Sequence, residues 1–139
     1  MDYSAVILVS LVLFAWMLVA QWFVASTVKA RADNAIPGKI DDNLSHDSFI
    51  FRAHRTFQNT LENAPLYIVC ALVGLHLGVS GPIFAIASAV FVAARVIHML
   101  LYYVIATESN PSPRSYFFMI GWLANIVMLV LLTLEILFF

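Results

Sequence analysis

Residues 52–77 read RAHRTFQNTLENAPLYIVCALVGLHL, and the first half of this stretch is unusually polar for its surroundings. Two arginines, a histidine, a glutamine, a glutamate and two asparagines lead directly into an apolar run. The chain has 139 residues, of which 63% are hydrophobic and 11% charged, whereas a soluble domain averages about 25% charged residues. This composition is that of a membrane protein, so the polar stretch needs a physical explanation.

Four segments are apolar and long enough to span a bilayer as helices, at about 4–28, 48–77, 82–106 and 115–138. Residues rich in Gly, Pro, Asp and Ser separate them, which is typical of loops and turns. The first segment has no basic n-region and is longer than the roughly 7–15-residue core of a signal peptide, so we expect it to be retained. The sequence therefore predicts an all-α integral membrane four-helix bundle that forms a single domain over residues 1–139.

The lysines and arginines predict the orientation of this bundle. They cluster in the loop between the first two helices and its flanks, and Arg114 lies in the third loop. Because basic loops stay on the cytoplasmic side, both of these loops are expected there, with both termini on the opposite side. The formal net charge of −1 provides no field that would attract nucleic acid, and no metal site is predicted.

Polar residues form narrow stripes on helices two and three when each is placed on a helical wheel. The first stripe covers an arc of about 80° and the second an arc of about 60°. Their members are Arg52, Arg55, Asn59 and Glu62 on helix two, and Arg95, His98 and Tyr102 on helix three. Because a charge inside a bilayer costs a few kcal/mol, the stripes are expected to meet each other, with Glu62 paired to an arginine.

Cations outnumber anions in these stripes, and Arg114 at the start of helix four adds another. Unbalanced buried cations favour an anionic ligand in a cleft between helices that opens to the cytoplasm. A small zwitterionic peptide with two carboxylates and an ammonium would suit both the arginines and Glu62. A phosphorylated headgroup is a second candidate, and stripes that only hold helices together are a third.

The pattern Arg55-x3-Asn59-x2-Glu62-x2-Pro65 resembles the signature of the MAPEG family, the membrane-associated proteins in eicosanoid and glutathione metabolism. Three further groups resemble the family's prostaglandin E synthase branch in order and spacing: Arg52-Ala53-His54-Arg55, Arg95-Val96-x-His98-x3-Tyr102, and Arg114-Ser115. The resemblance covers the whole chain, including its four spans.

This resemblance implies a homotrimer that binds glutathione between adjacent subunits near the cytoplasmic side. Helix two would come from one subunit, and helices three and four from its neighbour. Arg52, Arg55, Asn59 and Glu62 would hold the peptide's carboxylates and ammonium, while Arg95, His98 and Tyr102 would line the same pocket. Arg114 would stabilise the thiolate, and Ser115 would either donate to the sulfur or cap helix four.

Several positions depart from the family pattern. Phe118 stands where the prostaglandin branch has a tyrosine, which argues against prostaglandin isomerase activity. The basic residue at the end of helix one is either Lys29 or Arg31, and His46 and His76 match no family position.

The favoured interpretation is a glutathione transferase, or a peroxidase, that acts on a lipophilic electrophile from the bilayer. The alternative is a non-catalytic lipid-binding scaffold of the same fold. A small transporter with Glu62 and His98 as a proton relay is the third hypothesis, and four helices without an inverted repeat argue against it.

Overall fold

The structure is a computed structural model that describes residues 2–33, 35–79 and 81–138. Its four α-helices are α1 (Tyr3–Ala30), α2 (Phe49–Leu77), α3 (Pro82–Val104) and α4 (Pro113–Phe138). All four are long and apolar enough to cross a membrane. The prediction of an all-α, multi-pass membrane protein is therefore confirmed.

Helices α2 and α3 form the centre of the bundle. Each contacts all three other helices, whereas α1 and α4 do not touch each other within the described residues. The outer faces of α1 and α4 carry large exposed apolar side chains, such as Trp16, Phe23 and Leu137. Because lipid tails are as apolar as these side chains, such faces are stable in a bilayer without protein cover.

Three aromatic rings, one from each of α1, α2 and α3, pack against one another. Tyr67 stacks on Phe91 with ring centroids 4.2 Å apart, and Phe14 meets the Tyr67 ring edge-on at 5.0 Å. All three side chains are buried. The Tyr67 hydroxyl lies 3.0 Å from the Ser88 hydroxyl, so the one polar atom of the cluster is hydrogen-bonded.

α2 ends at a glycine cap, Gly78, which directly follows Leu77. Gly78 adopts a φ of 75°, and the Val79 N–H donates to the Gly74 carbonyl at 2.8 Å. This is a Schellman ending, which favours glycine at the left-handed position. Gly74 also lets α2 and α3 approach closely, because a Cβ there would lie 2.5 Å from Cζ of the buried Phe84 ring.

Gly74→Ala is expected to destabilise the fold by about 1–3 kcal/mol, because the added methyl group overlaps the buried Phe84 ring, which then has to shift. Gly121→Ala is the matched control, since a Cβ at that helical position would meet its nearest neighbour at 3.5 Å, an ordinary contact. Thermal unfolding of both variants in the same detergent measures the difference. Equal melting temperatures of the two variants would show that the packing of Phe84 does not require a glycine at position 74.

Candidate functional site

A cavity of about 390 Å³ opens at the end of the bundle where the α1–α2 and α3–α4 loops lie. Every element except α1 contributes to its wall. Its lining includes His46, Asn59, His98, Tyr102, Thr107, Glu108, Ser112, Arg114, Ser115, Phe118 and Met119. Five residues that the sequence predicted for a site, Asn59, His98, Tyr102, Arg114 and Ser115, therefore lie around one cavity.

Arg114 is the most enclosed cation of this cavity, with an exposed fraction of 5%. Its Nη2 donates to the Thr107 carbonyl at 2.8 Å, and its Nε donates to the Ser112 hydroxyl at 3.3 Å. The guanidinium carbon lies 4.1 Å from the centroid of the Tyr102 ring, a cation–π contact. Nη1 is buried and has no hydrogen-bond partner in the described part of the chain. A buried donor in this state favours an anionic ligand.

Ser115 lies one residue beyond Arg114 and takes part in the first turn of α4. Its Oγ accepts a hydrogen bond from the Ser112 N–H at 3.2 Å, while the Ser115 N–H donates to the Ser112 carbonyl at 2.9 Å. Pro113 is the first residue of α4, a position at which proline is favoured. The Ser115 oxygen therefore stabilises the helix start, and it also lies 3.4 Å from the Ser112 hydroxyl, where either hydroxyl can be the donor.

His98 lies deeper in the wall, on α3. It is 3% exposed, and its Nδ1 is buried with no partner among the residues that the structure describes. Its ring lies between the rings of Tyr102 and Phe118, with centroid distances of 5.3 Å and 6.4 Å. This histidine can offer a ring nitrogen to a ligand without losing an existing hydrogen bond.

Arg95 joins the polar stripes of α2 and α3 beneath the cavity. Its side chain is 1% exposed, and its Nη2 donates to Asn59 Oδ1 at 2.6 Å and to Thr60 Oγ1 at 3.1 Å. The expected meeting of the two stripes is thus present at this point. Asn59 is fixed by the contact, because its amide oxygen is held by a guanidinium.

Two residues of the α2 stripe lie elsewhere. Arg55 and Glu62 are exposed on the outside of the bundle and do not line the cavity. The expected pairing of Glu62 with an arginine is not present within a single chain, because no described arginine lies within ion-pair distance of it. The physical reason is the width of the stripe: Asn59 lies at the edge that meets α3, and Glu62 lies about 60° away on the helical wheel.

Arg52, at the start of α2, holds the preceding loop through its Nη1. Its Nη1 donates to the carbonyl oxygens of His46 at 2.6 Å and Asp47 at 2.9 Å. Its guanidinium also lies 5.5 Å from the centre of the Phe49 ring. This arginine therefore fixes the end of the α1–α2 loop against the helix that follows it.

His46 and Glu108 are the functional candidates that the sequence did not reveal. His46 Nδ1 and the His46 backbone nitrogen lie 2.9 Å and 3.1 Å from the same Glu108 oxygen. His46 Nε2 lies 3.2 Å from the Tyr102 hydroxyl. The hydrogen bonds from His46 hold the pKa of the Glu108 carboxyl below its usual range. No local pattern connects these residues, since they lie 62 positions apart in two different loops.

The charges around the cavity favour an anion. Arg114 lines it and Arg95 lies beneath it, whereas the one carboxylate in the wall, Glu108, already has His46 as its partner. A cavity with excess positive charge and partly apolar walls suits a ligand that has anionic groups and also an apolar portion.

Comparison with known proteins agrees with this architecture at the level of the family. Among curated proteins and among solved structures, the chain has no significant match. The description of the MAPEG family, in contrast, matches residues 6–134 and thus covers all four helices. Four apolar helices with this arrangement fit a membrane bundle of that kind. The chain belongs to the MAPEG family.

Proposed function

We propose that this protein is a membrane-embedded glutathione transferase, which joins the thiolate of glutathione to a lipophilic electrophile. The observation that carries the proposal is the state of Arg114: a buried guanidinium with one unpartnered nitrogen in the wall of an open cavity. Membership of a family that includes glutathione transferases supports the same conclusion.

The chemistry follows from the charge on Arg114. A thiol with an ordinary pKa of about 8.5 is mostly protonated at neutral pH, and a neighbouring guanidinium favours the thiolate. The thiol proton leaves to solvent through the open mouth of the cavity. The sulfur lone pair then forms a bond to the electrophilic carbon, and the bond from that carbon to its leaving group breaks. Ser115, which lines the cavity, would donate its hydroxyl hydrogen to the sulfur.

The remaining residues of the polar stripes would bind the rest of the peptide. Asn59, His98 and Tyr102 line the cavity, and Arg95 holds Asn59 in place. The lipophilic substrate would enter from the bilayer, because Phe118 and Met119 form an apolar part of the wall. The basic loops at this end support a cytoplasmic opening, so that glutathione would arrive from that side.

Arg55 and Glu62 lead us to include a second subunit in the proposal. Glu62 lies 13 residues into α2, about 20 Å along the helix from Phe49, yet it is exposed on the outside of the bundle. A carboxylate facing lipid at that depth is unfavourable. A homotrimer would cover this face with a neighbour, and Arg52, Arg55 and Glu62 of one subunit would then complete the glutathione site of the next.

A non-catalytic lipid-binding scaffold is the second candidate, and one observation favours it. Two of the three Arg114 nitrogens already donate to Thr107 and Ser112 of the same chain, as they would in a purely structural role. The two candidates differ in a measurable property, because only the transferase needs an ionised thiol.

Titration of the purified, detergent-solubilised protein with glutathione near neutral pH is expected to produce a saturable thiolate band in the near ultraviolet. Arg114→Ala should remove this band and lower kcat/KM by about 100-fold, since the group that stabilises the anion is lost. Lys39→Ala is the control, because it removes an exposed cation of the α1–α2 loop that does not line the cavity. A folded wild-type oligomer without the band would favour the scaffold.

A mixture of two inactive chains tests the shared site. Arg114→Ala and Glu62→Gln chains are each expected to be inactive alone, whereas co-expressed chains should recover about a quarter of the wild-type turnover, the share of interfaces that random mixing leaves intact. Activity of tagged, co-purified oligomers measures this recovery. No recovery in mixed oligomers would show that Glu62 does not act across a subunit boundary.

A further inference from the structure

Glu108, His46 and Tyr102 form a continuous chain of hydrogen bonds across the mouth of the cavity. Glu108 accepts from both the ring and the backbone of His46, and the other ring nitrogen of His46 meets the Tyr102 hydroxyl. The face of the Tyr102 ring in turn carries the Arg114 guanidinium. The His46 imidazole is thereby connected through Tyr102 to Arg114, the cation that would stabilise the thiolate.

The direction of the His46–Tyr102 hydrogen bond depends on the charge of the imidazole. An ionised Glu108 only accepts, so His46 Nδ1 carries a hydrogen in either protonation state. In neutral His46 the other nitrogen, Nε2, has only a lone pair, and the Tyr102 hydroxyl must donate to it. In protonated His46 Nε2 donates instead, and the Tyr102 hydroxyl hydrogen is released from this bond.

We infer that His46, oriented by Glu108, is a positioning residue whose protonation state decides whether the Tyr102 hydroxyl hydrogen points to His46 or is offered to the cavity. The consequence for binding rests on the proposed function. When His46 is protonated, an anionic group of glutathione gains a hydrogen bond from the Tyr102 hydroxyl. The pair would then make binding of the peptide dependent on cytoplasmic pH.

Among the residues that the structure describes, no second group contacts both His46 and Tyr102 in this way. Glu108 faces it from the α3–α4 loop, Tyr102 from α3, and the Phe51 ring from α2 at a centroid distance of 5.0 Å. Further charged or titratable groups lie nearby. Arg52 donates to the His46 carbonyl, and Asp47 is the next residue. Arg114 and the His98 ring lie against Tyr102.

The first experiment needs no ligand. The Raman Fermi doublet of tyrosine reports whether a phenol hydroxyl donates or accepts a hydrogen bond, and subtraction of the Tyr102→Phe spectrum isolates the Tyr102 signal. Between a lower pH at which His46 is protonated and an upper pH at which it is neutral, we expect this signal to change from acceptor to donor character. The change should be absent in His46→Gln and present in His76→Gln, which alters an exposed histidine at the opposite end of α2. A Tyr102 signal that does not change with pH would overturn the inference.

The second experiment measures affinity for S-methylglutathione, whose blocked sulfur cannot ionise. The wild type is expected to bind about tenfold more weakly at the upper pH than at the lower, the effect of one hydrogen bond to an anion. Both His46→Gln and Tyr102→Phe should remove this pH dependence. The second variant is decisive, because it keeps the titrating imidazole and removes only the hydroxyl.

Glu108→Gln and Asp47→Asn separate orientation from charge, because each removes one negative charge near His46. Only Glu108→Gln is expected to alter the pH profile, since the Asp47 side chain does not hold the ring. A profile that persists in Tyr102→Phe would show a direct charge effect and would contradict the inference. Absence of S-methylglutathione binding at every pH, together with a changing Tyr102 signal, would instead contradict the proposed function and leave the His46–Tyr102 assignment supported.

Discussion

The hydrogen bonds of the Arg95 guanidinium are the constraint on which the site depends. Arg95 lies about 13 Å along α3 from its last residue, Val104, in a bundle whose interior is otherwise largely apolar. A cation at this depth is stable only when polar groups surround it, and Asn59 and Thr60 of α2 supply them. These contacts fix the position of α3 relative to α2, and with it the positions of His98 and Tyr102 on the next turns.

The loops complete the site in a second layer. Arg52 holds the end of the α1–α2 loop, and Arg114 holds the α3–α4 loop through the Thr107 carbonyl. The His46–Glu108 pair then joins one loop to the other above the cavity. The Glu108 side chain of this pair is 69% exposed to water, whereas the Arg95 side chain below the cavity is buried.

The two faces of α2 have different roles that its helical wheel does not separate. Asn59 contacts α3 inside the bundle, while Glu62 and Arg55 remain on the outer face. A stripe about 80° wide is broad enough to serve an internal contact at one edge and an intermolecular contact at the other. This division is the reason why the pairing of Glu62 with an arginine, which looks necessary from the sequence, is not found inside one chain.

The sequence by itself determined the four spans, the loop positions and the family, because length and apolarity decide what crosses a bilayer and the polar spacing on α2 and α3 follows the helical period. It also indicated Arg95, His98 and Tyr102 as site residues, since polar side chains at this period in an apolar helix must have a partner, and Arg114 as a further cation at the start of helix four. Only the tertiary structure decided which edge of the α2 stripe faces inward and which loop residues meet. His46 and Glu108 lie in irregular segments without a period, and residues so far apart in sequence come together only after the helices have packed.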